Sequence, residues 1–114
     1  MLFRSVDVNS VAIQGNTVVS GSGDWTVRIW DLEDLKAKPI VLEGHSDWVT
    51  NLAIQGNTVV SGSNDKTVRI WDLEDPKAEP VVLYFENFVR CLSIVKNILS
   101  VGSGNDVHFL QLWS

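Results

Sequence analysis

Residues 12–41 read AIQGNTVVSGSGDWTVRIWDLEDLKAKPIV, and residues 53–82 read AIQGNTVVSGSNDKTVRIWDLEDPKAEPVV. The copies lie at a constant offset of 41 residues and differ at five of thirty positions, 23, 25, 35, 38 and 40 in the first. Self-similarity at a fixed period of this length marks a structural unit that buries its apolar faces against copies of itself. A third, worn copy begins at Leu92, where LSIVKNILSVGSG matches LAIQGNTVVSGSN at 52–64. On this reading LQLW at 110–113 answers VRIW at 68–71, with two extra residues between the halves.

Inside each copy, short β-branched runs separated by turn residues predict strands and no helical period. In the second copy these fall near 49–55, 58–63, 67–73 and 80–84. Gly56-Asn57 suits a tight hairpin, and the polar run 63–66 suits a turn in which an aspartate bonds its own backbone. Pro76 and Pro80 deny ladder donors to the last connection. Adjacent apolar pairs, Val59 with Val60 and Ile70 with Trp71, indicate sheets covered on both faces. The unit is therefore a four-stranded antiparallel sheet that stacks on its neighbours.

Composition narrows the function. The chain has 114 residues, 45% of them hydrophobic, and a formal charge of -5. An acidic chain lacks the clustered Lys and Arg that displace counterions from phosphates, so nucleic acid is not an expected partner. No basic, apolar leader and no apolar run of membrane-spanning length stands out, so no membrane association is expected. One cysteine, Cys91, forms no intrachain disulfide, which suits a reducing, cytoplasmic setting. His45 and His108 have no ligand-type neighbours at metal spacing, so no metal and no cofactor are expected.

Three motifs carry a family resemblance: Gly44-His45, then Ser61-Gly62-Ser63-Asn64-Asp65, then Trp71-Asp72. Together they resemble the WD-repeat β-propeller family, over essentially the whole chain. The resemblance implies an all-β fold, a propeller segment of four-stranded antiparallel blades that is incomplete as a single chain. Residues 1–114 then form one segment, with blades at about 4–43, 44–84 and 85–114, the last without its outermost strand. It also implies a buried hydrogen-bond network of His45, Ser61, Asp65 and Trp71, with Ser63 as the alternative to Ser61. An imidazole between a carboxylate and a hydroxyl can satisfy both, while the indole N–H donates to the hydroxyl.

The same trio of His, Ser and Asp could suggest a hydrolase, but a dry site shared with tryptophan favours a structural role. The outer copies depart from the pattern. In the first, Ser20, Asp24 and Trp30 make a partial network, because Arg4 falls where His45 would be. In the third, Trp113 is matched to Trp71, Val101 replaces the serine, Phe85-Glu86-Asn87 replaces the Gly-His segment, and the turn aspartate is either Asn105 or Asp106.

Four residues make a candidate partner-binding face: Trp25, Trp48, Lys66 and Phe88. Trp25 takes the turn position of Lys66, while Trp48 and Phe88 stand where the chain enters an innermost strand. The resemblance puts both loop types on one face, and exposed aromatics are common interface anchors. Packing against the next blade is the competing account for Trp48 and Phe88. The glycine-rich runs at 21–24 and 102–106 read as turns, since strands and not helices follow them. Acidic runs at 31–34 and 72–75 read as solvated charge.

The expected function is a non-catalytic protein–protein interaction scaffold or sensor, with other proteins as partners. The alternatives are a structural module that self-associates into a closed propeller, or a C-terminal fragment of a larger repeat protein. Propellers usually hold four to eight blades, so a six-bladed dimer is favoured over a nine-bladed trimer. By the repeat offset Met1 corresponds to Leu42, which suggests a truncated N-terminus beside a natural C-terminus.

Overall fold

A computed structural model describes residues 7–113, which form eleven β-strands in three antiparallel sheets. The first sheet runs β1 (Val8–Gln14), β2 (Thr17–Ser22), β3 (Val27–Asp31) and β4 (Ile40–Leu42), each strand beside the next. The second repeats it with β5 (Val49–Gln55), β6 (Thr58–Ser63), β7 (Thr67–Asp72) and β8 (Val81–Tyr84). The third has β9 (Val89–Val95), β10 (Ile98–Ser103) and β11 (Asp106–Gln111). The chain is thus an open run of propeller blades. Arg4 lies outside the described residues.

Each blade's second face becomes its neighbour's first. Val19, Val27, Ile29 and Leu42 of the first sheet cluster with Val49, Val59 and Trp71 of the second. One period on, Val60 and Val68 cluster with Val89, Leu99 and Val101 of the third. Val59 and Val60 are adjacent in β6 yet face opposite blades, which is why the strand shows no polar alternation. Both are fully buried, and each such side chain contributes about 1.5–3 kcal/mol on leaving water.

The blades approach closely at the glycine of each Ser-Gly-Ser. A Cβ on Gly21 would lie 2.5 Å from Val49 Cγ1, and one on Gly62 would lie 2.6 Å from Val89 Cγ1. The inner strands β1, β5 and β9 each carry a register shift near their start, between Val8 and Ser10, between Val49 and Asn51, and opposite Gly102 and Ser103. A bulge there sharpens the local twist as the chain enters the blade.

The third blade corrects the sequence alignment. Val59 pairs with Trp71 across β6 and β7, but Leu99, the equivalent of Val59, pairs with Leu110. Leu110 therefore occupies the tryptophan's place, and Trp113 lies beyond the strand. The backbone bond from Leu112 N to Asn97 O repeats that from Leu73 N to Asn57 O, fixing the same register. The cause is the turn. Blade two bridges Ser63 and Thr67 with three residues, whereas Ser103 pairs directly with Asp106 around Gly104-Asn105. Gly104, at φ +60°, supplies the left-handed residue that a two-residue hairpin needs. Neither Asn105 nor Asp106 thus takes the turn-aspartate position, because the loop that would hold it is shorter.

Candidate functional site

The middle blade gathers its polar groups where its outer chain, β6 and β7 meet. His45 Nδ1 lies 2.9 Å from Asp65 Oδ2, and His45 Nε2 lies 2.7 Å from Ser61 Oγ. Trp71 Nε1 donates to the same Ser61 oxygen at 2.8 Å. One tautomer satisfies every atom: Nδ1–H donates to the carboxylate, and Nε2 accepts the Ser61 proton. Ser61, and not Ser63, is the hydroxyl that joins imidazole and indole.

Asp65 is the hub. Besides His45, it accepts from Ser46 N at 2.9 Å, from Thr67 N at 2.9 Å and from Thr67 Oγ1 at 2.5 Å. The three-residue loop is a type I turn, Lys66 N donating to Ser63 O, closed by Lys66 in the left-handed region at φ +70°. Ser63 Oγ accepts from Asp65 N and donates to Asp47 O, tying this turn to the start of β5.

Electrostatics follow from burial. Desolvation lowers the His45 pKa below its ordinary value of 6.5, against the pull of Asp65, so the ring is held neutral. Burial pushes Asp65 up, but hydrogen bonds from Thr67, Ser46 and His45 outweigh it and hold the carboxyl below 3.8.

The first blade uses the same residue types differently. Trp30 Nε1 donates to Ser20 Oγ at 2.9 Å, as Trp71 does to Ser61. Asp24 accepts from Ser22 Oγ and from Thr26 N and Oγ1, then pairs its other oxygen with Arg28 at 3.0 Å. Burial raises the Asp24 pKa, but Ser22, Thr26 and Arg28 together bring it down to about 2. In the third blade Val101 takes the serine's place and is buried.

Thr67 and Thr26 were not singled out from sequence, although Asp-x-Thr recurs at 24–26 and 65–67. That spacing lets one carboxylate accept both the backbone N–H and the hydroxyl two residues on.

The candidate binding residues stand on one rim, where these turns meet the starts of the inner strands. Trp25, Trp48 and Phe88 are each about half exposed, at 48%, 49% and 51%. Trp48 reaches across to the first blade: a Cβ on Gly23 would lie 3.6 Å from its Nε1. Lys66 Nζ stands 5.9 Å from the centroid of Phe88. Trp25 sits at φ +72°, as Lys66 does at φ +70°.

Comparison with known proteins gives the same picture. Residues 4–31 and 37–72 match the WD domain, G-beta repeat. Over 42 residues, 37% of this chain, the sequence is 50% identical to cell division control protein 4 of Candida albicans, of which that stretch spans 6%. Among solved structures, the β-propeller domain of Myceliophteria thermophila Cps50 (Swd1) superposes with a TM-score of 0.85 at 26% identity. That match covers 98% of this chain and 38% of that one. The computationally designed Ika8 protein gives 0.81 at 30% identity, covering 92% of this chain and 33% of its own. Ika4, also computationally designed, gives 0.78 at 29%, covering 93% and 66%. The chain thus spans less than two thirds of each of these relatives. WD-repeat propellers are in general protein-interaction scaffolds, and with its motifs, blades and profile match in agreement, this chain belongs to the WD domain, G-beta repeat family.

Proposed function

We propose that the chain is a non-catalytic interaction scaffold whose partners bind the rim carrying Trp25, Trp48 and Phe88. The observation that supports this reading is three large aromatics left half exposed on neighbouring turns of one rim. Trp25 carries it furthest. A left-handed turn position favours glycine or asparagine, so an indole there does nothing for the turn, whereas exposed tryptophan is a common anchor at interfaces. Lys66 borders the same rim. Catalysis by His45, Ser61 and Asp65 is disfavoured because Ser61 is fully buried and its oxygen is already shared with Trp71. The lone Cys91 remains the basis for placing the protein in the cytoplasm.

The test is quantitative affinity purification with the full chain and with Trp25→Lys and Trp48→Ala. Proteins retained by the parent and lost from both variants, at unchanged melting temperature, support the rim. Identical retention by all three overturns it.

A second reading rests on the end faces. Val8, Val11 and Ile13 of the first blade are exposed at 58%, 61% and 62%, and Val107 and Phe109 of the third at 64% and 72%. Val8, Val11 and Ile13 stand at the repeat positions of Val49, Leu52 and Ile54, which pack into the blade junctions. Contiguous apolar faces of this kind call for cover. A second copy, packing head to tail, would supply it, with a six-bladed dimer favoured over a trimer. Native mass spectrometry tests this, and a compact monomer that unfolds cooperatively would exclude it.

A further inference from the structure

The two blade junctions on the rim are built to the same plan and filled differently. At the second junction, the turn residue Lys66 places its ammonium 5.9 Å from the centroid of Phe88, a cation over an aromatic face. One period earlier the turn residue is Trp25 and the strand-entry aromatic is Trp48, at offsets of 41 and 40 residues from Lys66 and Phe88. Trp25 shares the left-handed backbone of Lys66, so its side chain leaves the turn in the same way. The first junction therefore has the aromatic of the second, a further indole, and no cation of its own on that turn.

Its surroundings are acidic. Asp47 is partly exposed and its carboxylate accepts the N–H of Trp48 at 2.7 Å. Asp7 is exposed and flanks the same turn, its Cβ 3.8 Å from where a Cβ on Gly23 would stand. Arg28 is committed to Asp24 at 3.0 Å and does not neutralise this pair. The chain as a whole carries a charge of -5. Trp48 thus stands beside one exposed and one partly exposed carboxylate, and with the half-exposed Trp25 on the adjoining turn this suits a cation with an apolar stem.

We propose that Trp25 and Trp48, with Asp47 and Asp7 beside them, form a receptor for a lysine or arginine side chain of a partner protein. The incoming cation takes, at the first junction, the place that Lys66 fills over Phe88 at the second. Lys66 is thus the built-in occupant of the sister site, whereas Trp25 at the equivalent position leaves the first junction to be filled by a partner's residue. This rests on the rim being the binding face and adds the chemistry of what binds there.

The experiment titrates the full chain with three Gly-Ser peptides, carrying one lysine, one trimethyl-lysine or one neutral acetyl-lysine, and follows the indole N–H signals by NMR. The lysine and trimethyl-lysine peptides should shift Trp25 and Trp48 signals in a saturable way, at least about fivefold more tightly than the acetyl-lysine peptide. Asp47→Asn should weaken both by a few-fold. Trp25→Lys, which recreates the self-filled junction, should abolish them without loss of the dispersed spectrum of the fold. Equal binding of charged and neutral peptides, or none by any, overturns the cation receptor. If the affinity purification nevertheless shows partners lost from the tryptophan variants, the rim stands and only the chemistry assigned to it falls.

Discussion

The first and second blades differ at five of thirty aligned positions, none of them in the serine, aspartate or tryptophan of the polar network, yet their aspartates lead different lives. Asp65 is held by a buried imidazole and two backbone N–H groups, while Asp24 leans on Arg28 with both partners partly exposed. The corresponding Arg69 lies under Gly44, whose Cβ would sit 2.6 Å from the guanidinium. One arriving histidine thus reassigns both an aspartate and an arginine. The network is a property of the junction between segments, so near-identical strands can carry unequal polar cores.

The largest effects should follow from breaking the middle blade's hub. Asp65→Ala strands the donors of His45, Ser46 and Thr67, and each buried group left unsatisfied costs about 1–3 kcal/mol. His45→Ala should cost nearly as much, and the double variant less than the sum, because each removes what the other served. Urea unfolding of the four proteins checks this, and simple additivity would show that the residues do not act as a unit. Asp24→Ala, by contrast, should cost less, since its ion pair with Arg28 is partly solvated.

A smaller contrast sets the second blade against the third. Ser61→Val leaves Trp71 Nε1 and His45 Nε2 without a partner, costing about 2–4 kcal/mol. Val101→Ser, the reciprocal change, buries a hydroxyl where no counterpart of His45 or Trp71 stands, its cross-strand neighbour His108 being exposed, and should cost about 1–3 kcal/mol. Thermal unfolding ranks the two; a third blade indifferent to the new hydroxyl would mean that its core is already open to water.

Acid should find the middle blade first. Because the folded His45 pKa lies below 6.5, the unfolded chain takes up the proton before the folded one as pH falls. Stability is therefore full above about 6.5 and declines below it. The depressed Asp65 adds a second decline beginning near 3.8, as does Asp24 between 3.8 and about 2. His45→Gln should flatten the first decline, read by urea midpoints between about pH 7.5 and 5, and keep the Asp24 decline, read by midpoints below pH 3.8.

Much of this was legible in the sequence. The repeat gave the blades, because a strand covered on both faces writes adjacent apolar residues, and the two copies confirm each other's turns. The partners of His45 were legible through the family resemblance alone, since nothing in the spacing of 45, 61, 65 and 71 brings them together without the sheet. The third blade was misaligned for a physical reason. Matching Trp113 to Trp71 followed the most conspicuous side chain, whereas the ladder is set by the hairpin, and Gly104-Asn105 makes that hairpin one residue shorter than its sisters. Leu110 then fills the tryptophan position opposite Leu99, and a leucine, with no N–H to donate, needs no hydroxyl at position 101 to answer it.

The smallest expected effect is the most informative about the rim. Trp25 and Lys66 occupy the same left-handed turn position, at φ +72° and +70°, so the backbone strain of a non-glycine residue there is common to both. Trp25→Lys keeps that strain and removes only an indole that is about half in solvent, so stability should change by no more than about 0.5 kcal/mol. Trp25→Gly relieves the strain and should stabilise the turn by up to about 1 kcal/mol. If the lysine variant instead melts well below the parent, the indole packs on Trp48 for the sake of the fold. The first junction would then be a structural contact and not a vacancy, which is the opposite of what its sister junction, already filled by its own lysine, implies.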